Sequence, residues 1–177
     1  MALPPQKFRE AVLQILYSAE VSSLDEEAAA LLMTKELKIS KKSAKLACER
    51  VKSLLEKLAE IDEHISKTSL SYSFERIQRV EKSILRLGVY ELLFDAEIPP
   101  KVAIAEAIRL ARKFSTPEAA TFVNALLDAI YRAETGSKAN PSTLKQSIEA
   151  LIESEKLAEK ASLSDLNESA DHCNTEG

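Results

Sequence analysis

Glycine is scarce in this chain: it occurs only at Gly88, Gly136 and Gly177 among 177 residues. Phosphate-binding loops and dinucleotide-binding folds need glycines a few residues apart, because bare backbone lets amide groups approach an anion closely. Isolated glycines therefore argue against a nucleotide-loop enzyme. Barrels and sandwiches also rely on glycine-bearing turns. Because Ala, Leu, Glu and Lys are plentiful instead, the composition predicts an all-α protein.

Cysteine and histidine are rare as well, at Cys48, Cys173, His64 and His172. Two distant cysteines are too few for a disulfide framework and indicate a reducing compartment. Glu60 and His64 have the spacing of two metal ligands on a helix, but they supply only half a site. The two histidines also leave no credible catalytic triad. We therefore expect no catalytic residues, no metal site and no cofactor.

Long hydrophobic runs are missing too. No stretch without charged residues is longer than residues 11–19 or 119–127. The segment from Met1 to Lys7 lacks the basic-then-apolar order of a signal peptide, and a membrane-spanning helix needs about 20 apolar residues. We expect a cytoplasmic protein without a membrane partner.

Proline marks the helix starts, because a residue without an N–H is tolerated in the first helical turn. Amphipathic runs follow Pro4–Pro5, Pro99–Pro100, Pro117 and Pro141. Apolar residues spaced three and four apart predict helices over about 5–22, 24–38, 40–65 with a break near Asp62, 73–94, 101–114 and 117–132. The pattern predicts a compact bundle of about seven helices.

The C-terminal part has a different charge balance. Residues 1–133 hold 20 basic and 19 acidic side chains, whereas residues 134–177 hold four basic and nine acidic ones. We predict a domain over 1–133 and an acidic extension over 134–177, with a linker, a helix over 141–161 and a disordered end from Ser162. The helix either folds back over basic side chains of the domain and competes with an anionic ligand there, or is a solvated extension without a role.

A row of basic side chains follows one predicted helix face: Arg76, Arg79, Lys82 and Arg86. Such a row could contact phosphates or an acidic partner. Glu75 and Glu81 interrupt it, so a simple solvated face is the competing interpretation.

Two aromatic residues are candidates for stacking on unpaired bases. Tyr17 lies on the outward face of the first predicted helix, where a half-buried tyrosine with its hydroxyl in water is the ordinary alternative. Phe122 borders the apolar stripe of its helix, and periodicity favours a core position for it.

Several motifs occur together in this chain. They are EKSILRLGVYEL at 81–92, IPPKVAIAEA at 98–107, FVN at 122–124, RE at 9–10 and LYS at 16–18. In these motifs, over about residues 7–132, the chain resembles the NusB family of bacterial transcription antitermination proteins. The resemblance implies two packed helical subdomains and a non-catalytic adaptor of the RNA polymerase antitermination complex. It also implies binding to single-stranded boxA RNA of ribosomal RNA operons together with NusE, a small-subunit ribosomal protein.

The resemblance also implies two sets of site residues. The RNA-binding set is Lys7, Arg9, Tyr17, Glu75, Glu118 and Phe122. The NusE-binding set is Glu81, Arg86, Tyr90, Glu91 and Glu106. The family often begins with a run of arginines, whereas residues 5–9 here read PQKFR. We therefore expect weak RNA binding by the protein alone and stronger binding with NusE; the alternative is a helical protein-interaction module with weak or no RNA binding.

Overall fold

The computed structural model describes residues 3–21, 25–138 and 140–171. Within these residues every regular element is helical, which confirms the all-α prediction. The helices are α1 (Pro5–Val21), α2 (Glu26–Glu36), α3 (Lys41–Glu56), α4 (Leu58–Thr68), a short 3₁₀ helix (Phe74–Arg76), α5 (Arg79–Leu93), α6 (Pro100–Phe114), α7 (Pro117–Glu134) and α8 (Pro141–Asp171).

Local sequence signals account for the helix starts. Proline occupies the first position of α1, α6, α7 and α8, as predicted. Side chains cap the starts of α2, α3 and α7 by accepting a hydrogen bond from a backbone N–H of the first turn. These caps are Asp25 with Ala28 at 2.7 Å, Ser40 with Ser43 at 3.1 Å and Thr116 with Ala119 at 3.1 Å.

Two predicted boundaries were wrong. The break in the long third helix falls at Lys57, which has φ −103° and ψ 6°, and not near Asp62. Asp62 lies inside α4, where its carboxylate accepts hydrogen bonds from Arg86. The last helix continues past Ser162 to Asp171, and residues 172–177 of the expected disordered end lie outside the described residues.

The helices form two packed groups. Helices α1, α2 and α3 contact one another, and α4 to α8 form the second group. Helix α5 joins the two, because it contacts α1 and α3 on one side and α4, α6 and α7 on the other. Consequently most of α5 is buried, including residues 83–89 without interruption.

Glycine at position 88 sets the distance between α5 and its neighbours. A Cβ atom on Gly88 would lie 2.9 Å from Cδ1 of Leu127 on α7 and 3.3 Å from Cβ of Ala107 on α6. Both distances are shorter than ordinary carbon contacts. The missing side chain therefore lets three helix backbones meet closely.

Helix α8 packs against α7 after the chain reverses. Gly136 follows α7 with φ +72°, a conformation that glycine adopts without the steric cost of a Cβ. Ile148 and Leu151 of α8 are buried, and Leu144 and Ile152 are partly buried against the core. These four residues form one apolar stripe, so the first half of α8 is part of the packed structure.

No helix among the described residues is both long enough and apolar enough to cross a membrane.

We expect Gly88→Val to reduce the free energy of unfolding by about 1–3 kcal/mol, because the added atoms overpack the contact with Leu127 and Ala107. The measurement is urea unfolding followed by circular dichroism. Ala105→Val, on the exposed face of α6, is the matched control, since it also places valine in a helix. Equal stabilities of the two variants would show that the close approach does not matter.

Candidate functional site

Arg9 connects α1 to α5 through a buried ion pair. Its Nε donates to both carboxylate oxygens of Glu91, at 2.9 and 3.0 Å. Arg9 and Glu91 are 8% and 4% exposed. Arg9 and Glu91 neutralise each other inside the protein, because a buried charge needs a partner. The predictions that Arg9 belongs to the RNA-binding set and Glu91 to the NusE-binding set stay predictions.

The same ion pair extends onto α6. Nη1 of Arg9 lies 3.8 Å from Oε2 of Glu106, and Nε of Arg109 donates to that oxygen at 3.0 Å. Arg109 and Lys113 also donate to Glu10 of α1, at 2.7 and 2.8 Å. Burial raises the pKa of Glu91, while the Arg9 guanidinium opposes this rise by favouring the carboxylate. We call this set of side chains the α1–α5–α6 charge network.

Arg86 is the second internal charge of α5. Its Nε and Nη2 each donate to an oxygen of Asp62 at 2.8 Å, and its Nη1 donates to Glu20 at 2.9 Å. Arg86 is 8% exposed. It is therefore not a surface residue of the NusE-binding set in this conformation; it holds α1 and α4 against α5.

The basic row predicted along α5 does not form one solvated face. Arg76 and Arg79 are exposed, but Arg86 is buried. Between them, Nζ of Lys82 lies 4.5 Å from the centre of the Phe74 ring, a cation–π distance. Only the first part of the row remains available for a partner.

Phe122 is fully buried, which confirms the core position favoured by periodicity. Its ring packs edge-on against Tyr72, with centroids 5.7 Å apart and planes at 73°. In this conformation the ring is closed off from solvent, and the membership of Phe122 in the RNA-binding set stays a prediction. Its contact positions Tyr72.

Tyr17 is exposed, as predicted, with 39% of its surface accessible. It borders a groove whose other side chains come from α1, α2, α5 and α6: Leu13, Leu32, Met33, Val80 and Phe114. An exposed ring beside an apolar groove is suited to stacking or to docking a partner.

Tyr90 lies in the last turn of α5 and is half-buried. Its ring stacks on Phe94 with centroids 6.2 Å apart, and the Arg50 guanidinium lies 5.6 Å from its centre. Arg50 is also paired with Asp95 at the end of α5. The accessible part of the ring can still contribute to a protein interface.

Glu81 is a buried carboxyl group with one unpaired oxygen. Ser115 donates to Oε1 at 2.9 Å, whereas Oε2 has no hydrogen-bond partner among the described residues. Burial raises the pKa of Glu81, and the negative charge of Glu155 raises it further. The residue is 3% exposed, so it does not form an open contact surface.

A cleft separates α8 from the start of α5 and from the turn between α6 and α7. Its walls include Arg76, Glu81, Ser115, Thr116 and Glu155. Val80 borders both this cleft and the Tyr17 groove, so the two depressions adjoin.

The remaining predicted RNA residues surround this region unevenly. Glu75 is exposed beside Arg76, and Glu118 is half-buried two residues after Thr116. Lys7 is exposed at the start of α1, where the preceding Gln6 carbonyl accepts a hydrogen bond from Arg109 at 3.2 Å. Glu75 and Glu118 are thus close in sequence to residues that line the cleft without lining it themselves, Tyr17 lines the adjoining groove, and Lys7 lies near α6.

The sequence analysis did not identify the contact between Tyr72 and Glu155. The Tyr72 hydroxyl donates to Oε1 of Glu155 at 2.7 Å. Burial and this hydrogen bond hold the pKa of Tyr72 well above its usual value, so the hydroxyl stays a donor. The available signal was spacing: Glu155 follows Leu151 by four residues, which places it on the inward face of α8.

No group of three His, Cys, Asp or Glu side chains in the described part of the chain could hold a metal ion.

Comparison with known proteins identifies the family of this chain. The sequence model of the NusB family matches residues 6–132. The chain belongs to the NusB family. It is 37% identical over 141 residues to transcription antitermination protein NusB of Chlamydia pneumoniae, covering 80% of this chain and 86% of that protein.

Solved NusB structures share the fold. The T. maritima NusB structure superposes with a TM-score of 0.65 at 30% identity, covering 82% of this chain and 99% of that one. A NusB chain solved with NusE and double-stranded RNA gives a TM-score of 0.63 at 28% identity, covering 72% and 96%. The NusB resemblance is confirmed, and residues 133–177, which include α8, lie beyond the family match.

Replacing Glu81 by glutamine is expected to raise the free energy of unfolding at pH 7 by about 1 kcal/mol, because an unpaired buried acceptor is costly when charged. Since the folded pKa is raised, ionisation destabilises the fold above that pKa. The advantage of Gln should therefore shrink as pH falls through the folded pKa toward 4.5, the ordinary value.

Urea unfolding at several pH values measures this difference. Glu75→Gln, an exposed neighbour, removes the same charge and controls for net charge. A stability gain that does not change with pH, or that Glu75→Gln reproduces, would contradict the assignment.

Proposed function

We propose that this NusB-family protein is a transcription antitermination factor. It binds boxA-type single-stranded RNA of ribosomal RNA operons together with the ribosomal protein NusE, as a non-catalytic adaptor for RNA polymerase. The observation that carries this proposal is the similarity of the folded chain to NusB in a NusB–NusE–RNA complex, at 28% identity over 72% of the chain. The family match over residues 6–132 supports it.

The RNA-binding surface comprises the accessible members of the predicted set. Tyr17 supplies an exposed ring for stacking, Lys7 supplies a cation, and Glu75 and Glu118 offer acceptors for base edges. Arg9 and Phe122 act indirectly. Arg9 fixes α1 against α5, and Phe122 packs behind Tyr72.

The NusE-binding surface is formed around α5 and α6. Tyr90 and Glu106 are half-buried and retain accessible atoms. Arg86 and Glu91 position the helices through internal ion pairs. Glu81 can contact NusE only through the cleft that it lines. A partly charged face of this kind favours specificity and orientation of a protein partner.

The RNA affinity of the protein alone should be low. Arg9 and Arg86 are consumed by internal pairs, and Arg109 and Lys113 are paired with Glu10. Lys7 is the cation on the proposed RNA surface, so few counterions are released from RNA there and binding should depend only weakly on salt. NusE should increase the affinity by supplying further contacts to the same RNA.

A gel-shift titration of boxA RNA with the protein, with and without NusE, tests the proposal. We expect weak binding alone, a marked increase with NusE, and little increase with an RNA of scrambled sequence. If no RNA-dependent ternary complex forms, the protein is instead a helical interaction module without RNA function. Tight and steeply salt-dependent binding by the protein alone would contradict the assigned surface.

Tyr17→Ala should weaken the ternary complex by about 1–3 kcal/mol, the usual contribution of one base–aromatic stack. Tyr17→Phe keeps the ring and should retain most of the affinity. The comparison is made by RNA titration at constant NusE, with thermal unfolding of both variants as the folding control. Equal losses in the two variants would assign the effect to the hydroxyl and not to stacking.

A further inference from the structure

A carboxylate of α8 occupies a cluster of groups suited to an anion. Oε1 of Glu155 accepts the hydrogen bond of the Tyr72 hydroxyl at 2.7 Å, and its Oε2 lies 3.9 Å from Nη2 of Arg76. The Arg76 guanidinium lies 5.1 Å from the centre of the Tyr72 ring. A hydroxyl donor and a guanidinium thus converge on one negatively charged group, and the Tyr72 ring lies against the guanidinium.

The hydroxyl and the guanidinium can also bind a phosphodiester. Tyrosine hydroxyls and arginine side chains are regular donors to nucleic-acid phosphates, and the planar guanidinium fits phosphate oxygens as well as it fits carboxylates. Tyr72 is 1% exposed, whereas 55% of the Arg76 side chain is accessible. A phosphate can therefore approach Arg76 directly but can reach the Tyr72 hydroxyl only by displacing Glu155.

We propose that Tyr72 and Arg76 form a contact site for an RNA phosphate, and that Glu155 of α8 occupies this site and competes with RNA. This inference rests on the proposed function, because it specifies how the RNA surface of the same protein is completed and controlled. Tyr72 and Arg76 do not belong to the RNA-binding set that the family resemblance predicts.

The position of the cluster favours RNA as its ligand. Arg76 follows Glu75 directly, and it lines the cleft together with Thr116 at the start of α7, near Glu118. Both glutamates are members of the proposed RNA surface. A strand that contacts them passes close to the groups now held by Glu155.

The packing of α8 makes displacement of its outer half inexpensive. Its buried apolar contacts with the core, Ile148 and Leu151, precede Glu155. Beyond it, Leu157 and Leu163 are 61% and 63% exposed. Segments with few buried apolar contacts open at low free-energy cost. The first half of α8 can therefore stay on α7 while Glu155 yields its place.

Glu155→Gln in the full chain tests the competition. It removes the charge that imitates phosphate and keeps the shape of the side chain. The affinity for boxA RNA in the presence of NusE should rise roughly two- to fivefold, the range expected for freeing a partly exposed ionic contact. Glu153→Gln is the matched control, because it removes the same charge from the exposed face of the same helix. Its affinity should change less than roughly twofold.

A second pair of variants identifies the group that gains the contact. Arg76→Ala combined with Glu155→Gln should abolish the increase if Arg76 receives the phosphate. The slope of log affinity against log salt should steepen by about 0.7 in Glu155→Gln, the value for one added phosphate contact in single-stranded RNA. The double variant should lose that steepening. Circular dichroism checks that the variants keep their helices.

The outcomes separate this inference from the proposed function. If the wild-type protein forms the ternary complex but Glu155→Gln binds RNA no better, the inference is wrong and the function stands. An equal increase in Glu153→Gln assigns the effect to net charge and overturns the inference, as does an increase that survives loss of Arg76. Failure of all variants to bind RNA with NusE contradicts both.

Discussion

Helix α5 is surrounded by five other helices, and it carries three ionisable side chains into the interior: Glu81, Arg86 and Glu91. Removing a charge from water costs several kcal/mol unless a partner compensates it. Arg86 and Glu91 meet that condition with partners on α4 and α1. The positions of those helices thus follow from the charges of α5 as much as from its apolar residues, and Gly88 allows α6 and α7 to approach from the other side.

This arrangement changes how charged residues relate to function. Arg9, Arg86 and Glu91 would look like interface residues on a helical wheel, yet their atoms are engaged within the protein. These ion pairs hold α1, α4 and α5 together. The Tyr17 groove and the cleft beside α8 are two depressions that stay open to solvent.

The helical fold was predictable because prolines at helix starts and apolar spacing are local properties. The internal ion pairs were not, since Arg9 and Glu91 are separated by 82 positions and each has ordinary spacing within its own helix. Helical periodicity continues through Lys57, so it could not locate the break between α3 and α4. Periodicity did place Phe122 correctly in the core.

For the candidate site, the sequence predicted the exposure of Tyr17 but not the groove beside it. The cleft depends on where α8 docks, and α8 lies outside the matched family region. Its inward face contains Glu155 as well as leucine and isoleucine. The role of a polar residue on an apolar stripe can be inferred only when its partner, here Tyr72, is known.

The α1–α5–α6 charge network also restricts how this protein can change through inheritance. Losing one member of a buried ion pair leaves an uncompensated charge, at a cost of about 3–5 kcal/mol. That is a large share of the 5–15 kcal/mol, roughly, that keeps a domain folded. A single substitution at Arg9 or Glu91 is therefore too destabilising to be selectively neutral. Both positions have to change together, so that the buried charge keeps a partner.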